Sequence, residues 1–130
     1  MGLYNFKARF APMILAGEKT HTIRAVRKHP ARPGETLHLY TGLRQKGARL
    51  LLRAPCTRVE EITIRQTRCG IASKLSDVEI TIAGQVLDPS EMDLLAERDG
   101  FKNLADMMRF WQEPTNRLPF RGHIIHWQRP

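Results

Sequence analysis

The chain has 130 residues, 42% of them hydrophobic and 26% charged, and 21 Lys and Arg against 13 Asp and Glu leave a formal charge of +8. This is the composition of one globular domain able to bury about two-thirds of its unfolded surface, which excludes a disordered tail, a collagen-like rod and a coiled coil. No apolar run approaches the roughly 20 residues of a membrane-spanning helix and no secretory leader is read at the N-terminus, so no membrane partner is expected and the cytosol is the expected location.

Along the chain, residues 3–6 alternate enough for a short opening strand, and residues 10–16 read as a brief helix with Pro12 in its first turn and Gly17 as its stop. Residues 20–24 are β-favouring, residues 30–34 form a loop, and residues 36–41 make the next strand. A polar turn over residues 42–47 precedes a strand over 48–53, and after Pro55 a further strand runs over 59–65. Residues 80–87 read as a hairpin turned at Ala83 and Gly84.

Two helices follow. Asp88 is an N-cap with Pro89 at the first helical position and Glu91 completing a capping box, so a helix runs from Pro89 to about Arg98 and stops near Gly100. Asn103 repeats the signal for a helix ending before Pro114, on which Leu104, Met107, Met108 and Trp111 share a core-facing stripe. A strand over residues 122–127 closes the pattern. Many short strands interrupted late by two helices predict an α+β fold, a small barrel rather than a βαβ repeat.

The positive charge is concentrated. Residues 1–53 hold eleven Lys or Arg against Glu18 and Glu35, a net +9, whereas residues 81–113 sum to −4. A basic first half suits phosphate binding, because each neutralised phosphate releases counterions, so nucleic acid leads the expected partners. The alternative is a basic module for protein interaction. Cys56 and Cys69 form no CxxC and imply neither a disulfide framework nor zinc. His123 and His126 lie three apart on a strand and point to opposite faces, so no metal site is assigned. The sequence assigns no cofactor and no oligomeric state.

The densest polar run is Gly17-Glu18-Lys19-Thr20-His21-Thr22-Ile23-Arg24. On a strand Thr20, Thr22 and Arg24 share one face, where two hydroxyls and a guanidinium fork suit a phosphate or a planar base edge. Lys19, His21 and Ile23 take the other face, although a residue at the strand's entrance can twist inward. Arg27, Lys28, Tyr40 and Arg44 are added as ligand or RNA contacts from the basic loop and the turn that follow.

Phe10, Ile14 and Leu15, then Gly17-x-Lys19-Thr20-x-Thr22-Ile23-Arg24, Pro33-Gly34, residues 37–40, Asp99-Gly100-Phe101 and the closing Phe120-x-Gly122-His123-Ile124-Ile125-x-Trp127 resemble the ASCH domain family over nearly the whole chain. The resemblance implies one domain over residues 1–130 with a PUA-like fold, a small mixed β-barrel with flanking helices, and a cleft beside that barrel that faces RNA or a modified nucleoside. Arg24 is expected to meet that ligand and not the core.

One branch of that family hydrolyses acetylcytidine with a Lys, a Thr and a Glu. The resemblance then implies Thr22 as nucleophile, Lys19 as its base with a pKa lowered by Arg24 and partial burial, and Asp99 as the proton-shuttling acid. Asp99 is one methylene shorter than the family's Glu, and Glu97 is the neighbouring substitute. Another branch resembles a single-strand ribonuclease, for which Tyr40 and Lys46 are the available groups. His21, His29 and His38 are read as surface or structural histidines, Trp111 and Trp127 as core, and Phe110 and Phe120 as the aromatic rings left available to stack bases.

Overall fold

The computed structural model describes residues 2–43, 46–66, 77–113 and 118–129. Arg44, expected to touch the ligand, and Cys69 lie outside the described residues.

Strand β1 (Gly2–Phe6) leads through one 3₁₀ turn (Ala8–Phe10) into α1 (Ala11–Ala16), which Gly17 ends in the left-handed conformation at φ 78°. Strands β2 (His21–Ala25), β3 (Thr36–Thr41), β4 (Arg49–Gln66), β5 (Val78–Ile82) and β6 (Gln85–Val86) follow. Helices α2 (Pro89–Asp99) and α3 (Leu104–Trp111) precede the last strand, β7 (Phe120–Trp127). The fold is α+β, as the pattern predicts.

Strand β4 organises the sheet. Its first half pairs with β3, which pairs in parallel with β1, and its second half lies between β5 and β7, with β2 on the far side of β7. Two strands were expected here, over 48–53 and 59–65, and one 18-residue strand is found. Pro55 does not break it because it stands where the strand changes partner, Pro55 opposing Thr36 at the start of β3 and Cys56 opposing Trp127 just before an irregularity in the ladder. Proline's missing N–H is tolerated at such interruptions.

The expected closed barrel is corrected in one respect. Among the described residues the seven-stranded sheet does not close, because no ladder joins β1 to β2. Side chains span the seam instead: Arg24 Nη2 donates to the carbonyl of Asn5 at 2.7 Å, and Arg27 Nη1 to that of Leu3 at 3.2 Å.

Two core clusters flank the sheet. One gathers Tyr4, Phe6, Ile14, Leu37, Leu39 and Trp127 under α1, and the other gathers Ile62, Ile64, Ile80, Met107, Met108 and Ile124 under α2 and α3. Phe10 packs against both. The expected stripe on α3 is buried at all four positions, and Trp127 packs edge-on against Phe6 at 6.0 Å. No helix among the described residues is long and apolar enough to cross a membrane.

Candidate functional site: a cavity between the helices and the seam

The local signals of the sequence bring three distant segments together. Asp88 Oδ1 accepts from Glu91 N while Glu91 Oε1 accepts from Asp88 N, the capping box that starts α2. Gly100 ends that helix at φ 106°, and a Cβ there would come within 2.7 Å of the Phe10 ring. Only glycine admits both the turn and the close approach. Asp99, the last residue of α2, is thereby set against the start of β2. Gly122 does the equivalent on β7, where a Cβ would collide with the carbonyl of Arg24 on β2.

A cavity of about 460 Å³ opens at this junction, within the range of small-ligand sites. Lys19, Thr22, Arg24 and Asp99 line its polar side, and Phe10, Phe101, Phe110, Trp111 and Phe120 line its aromatic side. The four polar residues singled out in the sequence therefore meet on one cavity. Lys19 reaches it although strand alternation assigns it to the other face, because β2 begins only at His21 and the pleat does not govern the residues before it.

Lys19 and Asp99 are 3% and 7% exposed. Lys19 Nζ donates to Asp99 Oδ1 at 2.8 Å and to the Asp99 main-chain carbonyl at 2.6 Å, and lies 5.1 Å from the Phe10 ring centre. Burial pushes the Lys19 ammonium below its ordinary range against the pull of Asp99, with Arg24 and Arg9 adding to the depression. Burial works to raise the Asp99 carboxyl, but Lys19 and His21 outweigh it and hold the group below the usual carboxylate range. His21 Nε2 is buried 3.3 Å from Asp99 Oδ1 without the alignment of a hydrogen bond.

Thr22 is buried, and its Oγ1 accepts from Arg24 Nε at 3.0 Å. Arg24 is pushed down to about 10, by burial first and then by Arg27, and so stays a cation at neutral pH. Its guanidinium lies 4.8 Å from the Phe6 ring and 5.5 Å from that of Tyr4. Arg24 was expected to meet ligand and not core; it lines the cavity and also ties β2 to β1, because the seam has no backbone ladder to satisfy the Asn5 carbonyl.

The other residues expected at the site are spread out. Glu97 is exposed on α2, so Asp99 is the carboxylate that reaches the cavity. Thr20 does not line it, and its carbonyl accepts from Trp127 N at 2.9 Å. Arg27 stacks on Tyr4 at 4.1 Å along the seam. Lys28 is exposed after β2, and Tyr40, in β3 opposite Asn5 and Leu50, stands away from the cavity lining. Lys46 is exposed and away from it too.

Phe110 and Phe120, available in the sequence as base-stacking rings, do line the cavity, as does Trp111, which was assigned to the core; sequence reasoning missed Asn5, Lys7, Phe10 and Phe101. The available signal was the Phe6-Lys7-Ala8-Arg9-Phe10 run, aromatic and basic residues interleaved as in nucleic-acid surfaces. Comparison of the chain with family models, with curated proteins and with solved structures returns no match.

Proposed function

We propose that this chain is a PUA-like domain of the ASCH type that binds RNA bases or a modified nucleoside in the cavity between β2 and the two helices, and that it acts in the cytosol. The observation that carries the reading is the pairing of an aromatic wall, Phe10, Phe101, Phe110, Trp111 and Phe120, with the cations Lys19 and Arg24 and the Thr22 hydroxyl. A planar base gains from stacking on such rings, and its edge needs donors and acceptors held in place. Lys19 and Arg24 are held by Asp99, Thr22 and Asn5, so little ordering remains to be done on binding. Arg24 and Arg27 also tie β2 and the loop after it to β1, across the seam that no backbone ladder joins.

Titration of single-stranded oligoribonucleotides tests this. Phe110→Ala is expected to weaken association by about tenfold, as loss of one stacking partner does. Association indifferent to Phe110→Ala would contradict it.

Amide hydrolysis of an acetylated cytidine is the second reading, favoured by Lys19, Thr22 and Asp99 lining one cavity and by the depressed Lys19. In it Thr22, whose oxygen already accepts from Arg24 Nε, gives its proton to Lys19 once that amine is neutral. Acetate release that Thr22→Ala abolishes is the expected result for that reading, and absence of turnover by the parent protein removes it.

A further inference from the structure

The mouth of the cavity carries charge that a neutral nucleoside would leave unused. Lys7, just past β1, lines the cavity with its Nζ 5.1 Å over the Phe110 ring. Arg9 lies alongside, its guanidinium 4.6 Å from the Phe10 ring and 5.0 Å from that of Phe101. Phe101 and Phe110 are themselves neighbours at 5.7 Å, so one aromatic cluster carries Lys7, Arg9 and Lys19 on its faces.

Three cations, Lys7, Lys19 and Arg24, line the cavity against one carboxylate, Asp99. Asp99 is bound to Lys19, so the excess of two positive charges belongs to Lys7 and Arg24. Arg24 commits Nε to Thr22 and Nη2 to Asn5, and its Nη1 has no hydrogen-bond partner among the described residues. Lys7 is exposed and free to swing toward an anion.

We propose that the cavity takes an aromatic base carrying a phosphomonoester, the ring against Phe110 and its neighbours and the phosphate between Lys7 and Arg24. The proposal rests on the base-binding reading above and adds the anion. A phosphomonoester carries a charge of about −1.5 to −2 at neutral pH, which matches the excess, whereas an internal phosphodiester carries a single charge. Arg24 offers the donors of its unpartnered Nη1 and Lys7 a mobile point charge, and guanidinium and ammonium are the two usual partners of phosphate oxygens. The same chemistry is presented by a free mononucleotide and by the phosphorylated end of a strand.

The experiment is calorimetry on the full chain at fixed ionic strength with the four ribonucleosides, their 5′-monophosphates, inorganic phosphate, and one short oligoribonucleotide with a 5′-phosphate or a 5′-hydroxyl. At least one monophosphate is expected to bind about tenfold or more tightly than its nucleoside, and Lys7→Gln to bring that ratio close to one, while Arg53→Gln on the exposed part of β4 leaves it unchanged. Preference for the 5′-phosphorylated oligonucleotide over both its hydroxyl form and the mononucleotide assigns the ligand to strand ends; preference for the mononucleotide assigns it to the free form. Equal affinity for nucleoside and monophosphate overturns the phosphate proposal and leaves base binding standing. An equal loss in Arg53→Gln overturns it too, as a general charge effect. Binding of inorganic phosphate without any nucleoside or nucleotide, or of nothing in the panel, overturns both readings.

Discussion

Lys19 donates to Asp99 twice, to the side-chain oxygen at 2.8 Å and to the main-chain carbonyl at 2.6 Å, and so joins the entrance of β2 to the last residue of α2. Both partners are buried, which makes the pair costly to divide. Asp99→Asn leaves an ammonium with no compensating charge and is expected to lower unfolding free energy by about 3 to 5 kcal/mol. Adding Lys19→Met to Asp99→Asn should recover much of that loss. Urea denaturation of the single and double variants checks the order.

Arg24 is predicted to hold the seam between β1 and β2. Its bond to the Asn5 carbonyl bridges the unladdered seam, so Arg24→Ala should cost about 1.5 to 3 kcal/mol, the range for a hydrogen bond to a charged donor. Arg27, longer-bonded at 3.2 Å and exposed, should cost less when truncated. Amide exchange in β1 should accelerate more in Arg24→Ala than in Arg27→Ala; equal acceleration would mean that the seam does not depend on Arg24.

Acidification should destabilise the protein in two stages. Burial holds the His126 imidazole below its ordinary 6.5, with His21 and Arg58 acting the same way and the 3.0 Å bond to Glu60 opposing. Its folded pKa is therefore the lower one, the unfolded chain takes up the proton first, and stability falls as pH drops below about 6.5. Asp99, also lowered on folding, gives up its contribution further down, as pH falls from its ordinary 3.8 toward the folded value. Lys19 is lowered too, so stability should rise with pH between its folded value and 10.5. Unfolding midpoints followed from pH 7.5 to 5.5 should fall in the parent and fall less in His126→Gln.

Much of the fold was legible where a local signal sufficed. The capping box at Asp88 and Glu91, the Asn103 cap and the turn at Ala83 and Gly84 each stand where their residues put them. The continuity of β4 through Pro55 was not legible, because it depends on where β4 leaves the start of β3 and meets the end of β7, which only the assembled sheet sets. At the site, Thr22 and Arg24 were readable from strand spacing, and Asp99 from the resemblance. Of the aromatic wall only Phe110 and Phe120 were named as stacking rings; their meeting with Phe10, Phe101 and Trp111 was hidden, since the rings come from separate segments and hydrophobic spacing alone makes no distinction between a ring lining a cavity and one filling a core. The seam role of Arg24 was equally hidden, because its acceptor lies 19 residues earlier, on a strand that shares no ladder with β2.

Binding of single-stranded RNA should weaken steeply with salt. With three or more phosphates contacted, affinity should fall by about a decade or more between 50 and 200 mM salt. Anisotropy titrations across that range measure the slope, and a flat response would remove the backbone contacts from the account.

The most direct test of the central claim, that the cavity between β2 and the helices is where the base binds, is amide chemical-shift mapping with a single-stranded oligoribonucleotide. The account predicts the largest shifts at Thr22, Ile23, Ala25, Phe101 and Phe110, all of which line the cavity. Shifts confined to the basic loop around Arg27, Lys28 and Arg32, with those cavity amides unmoved, would contradict it.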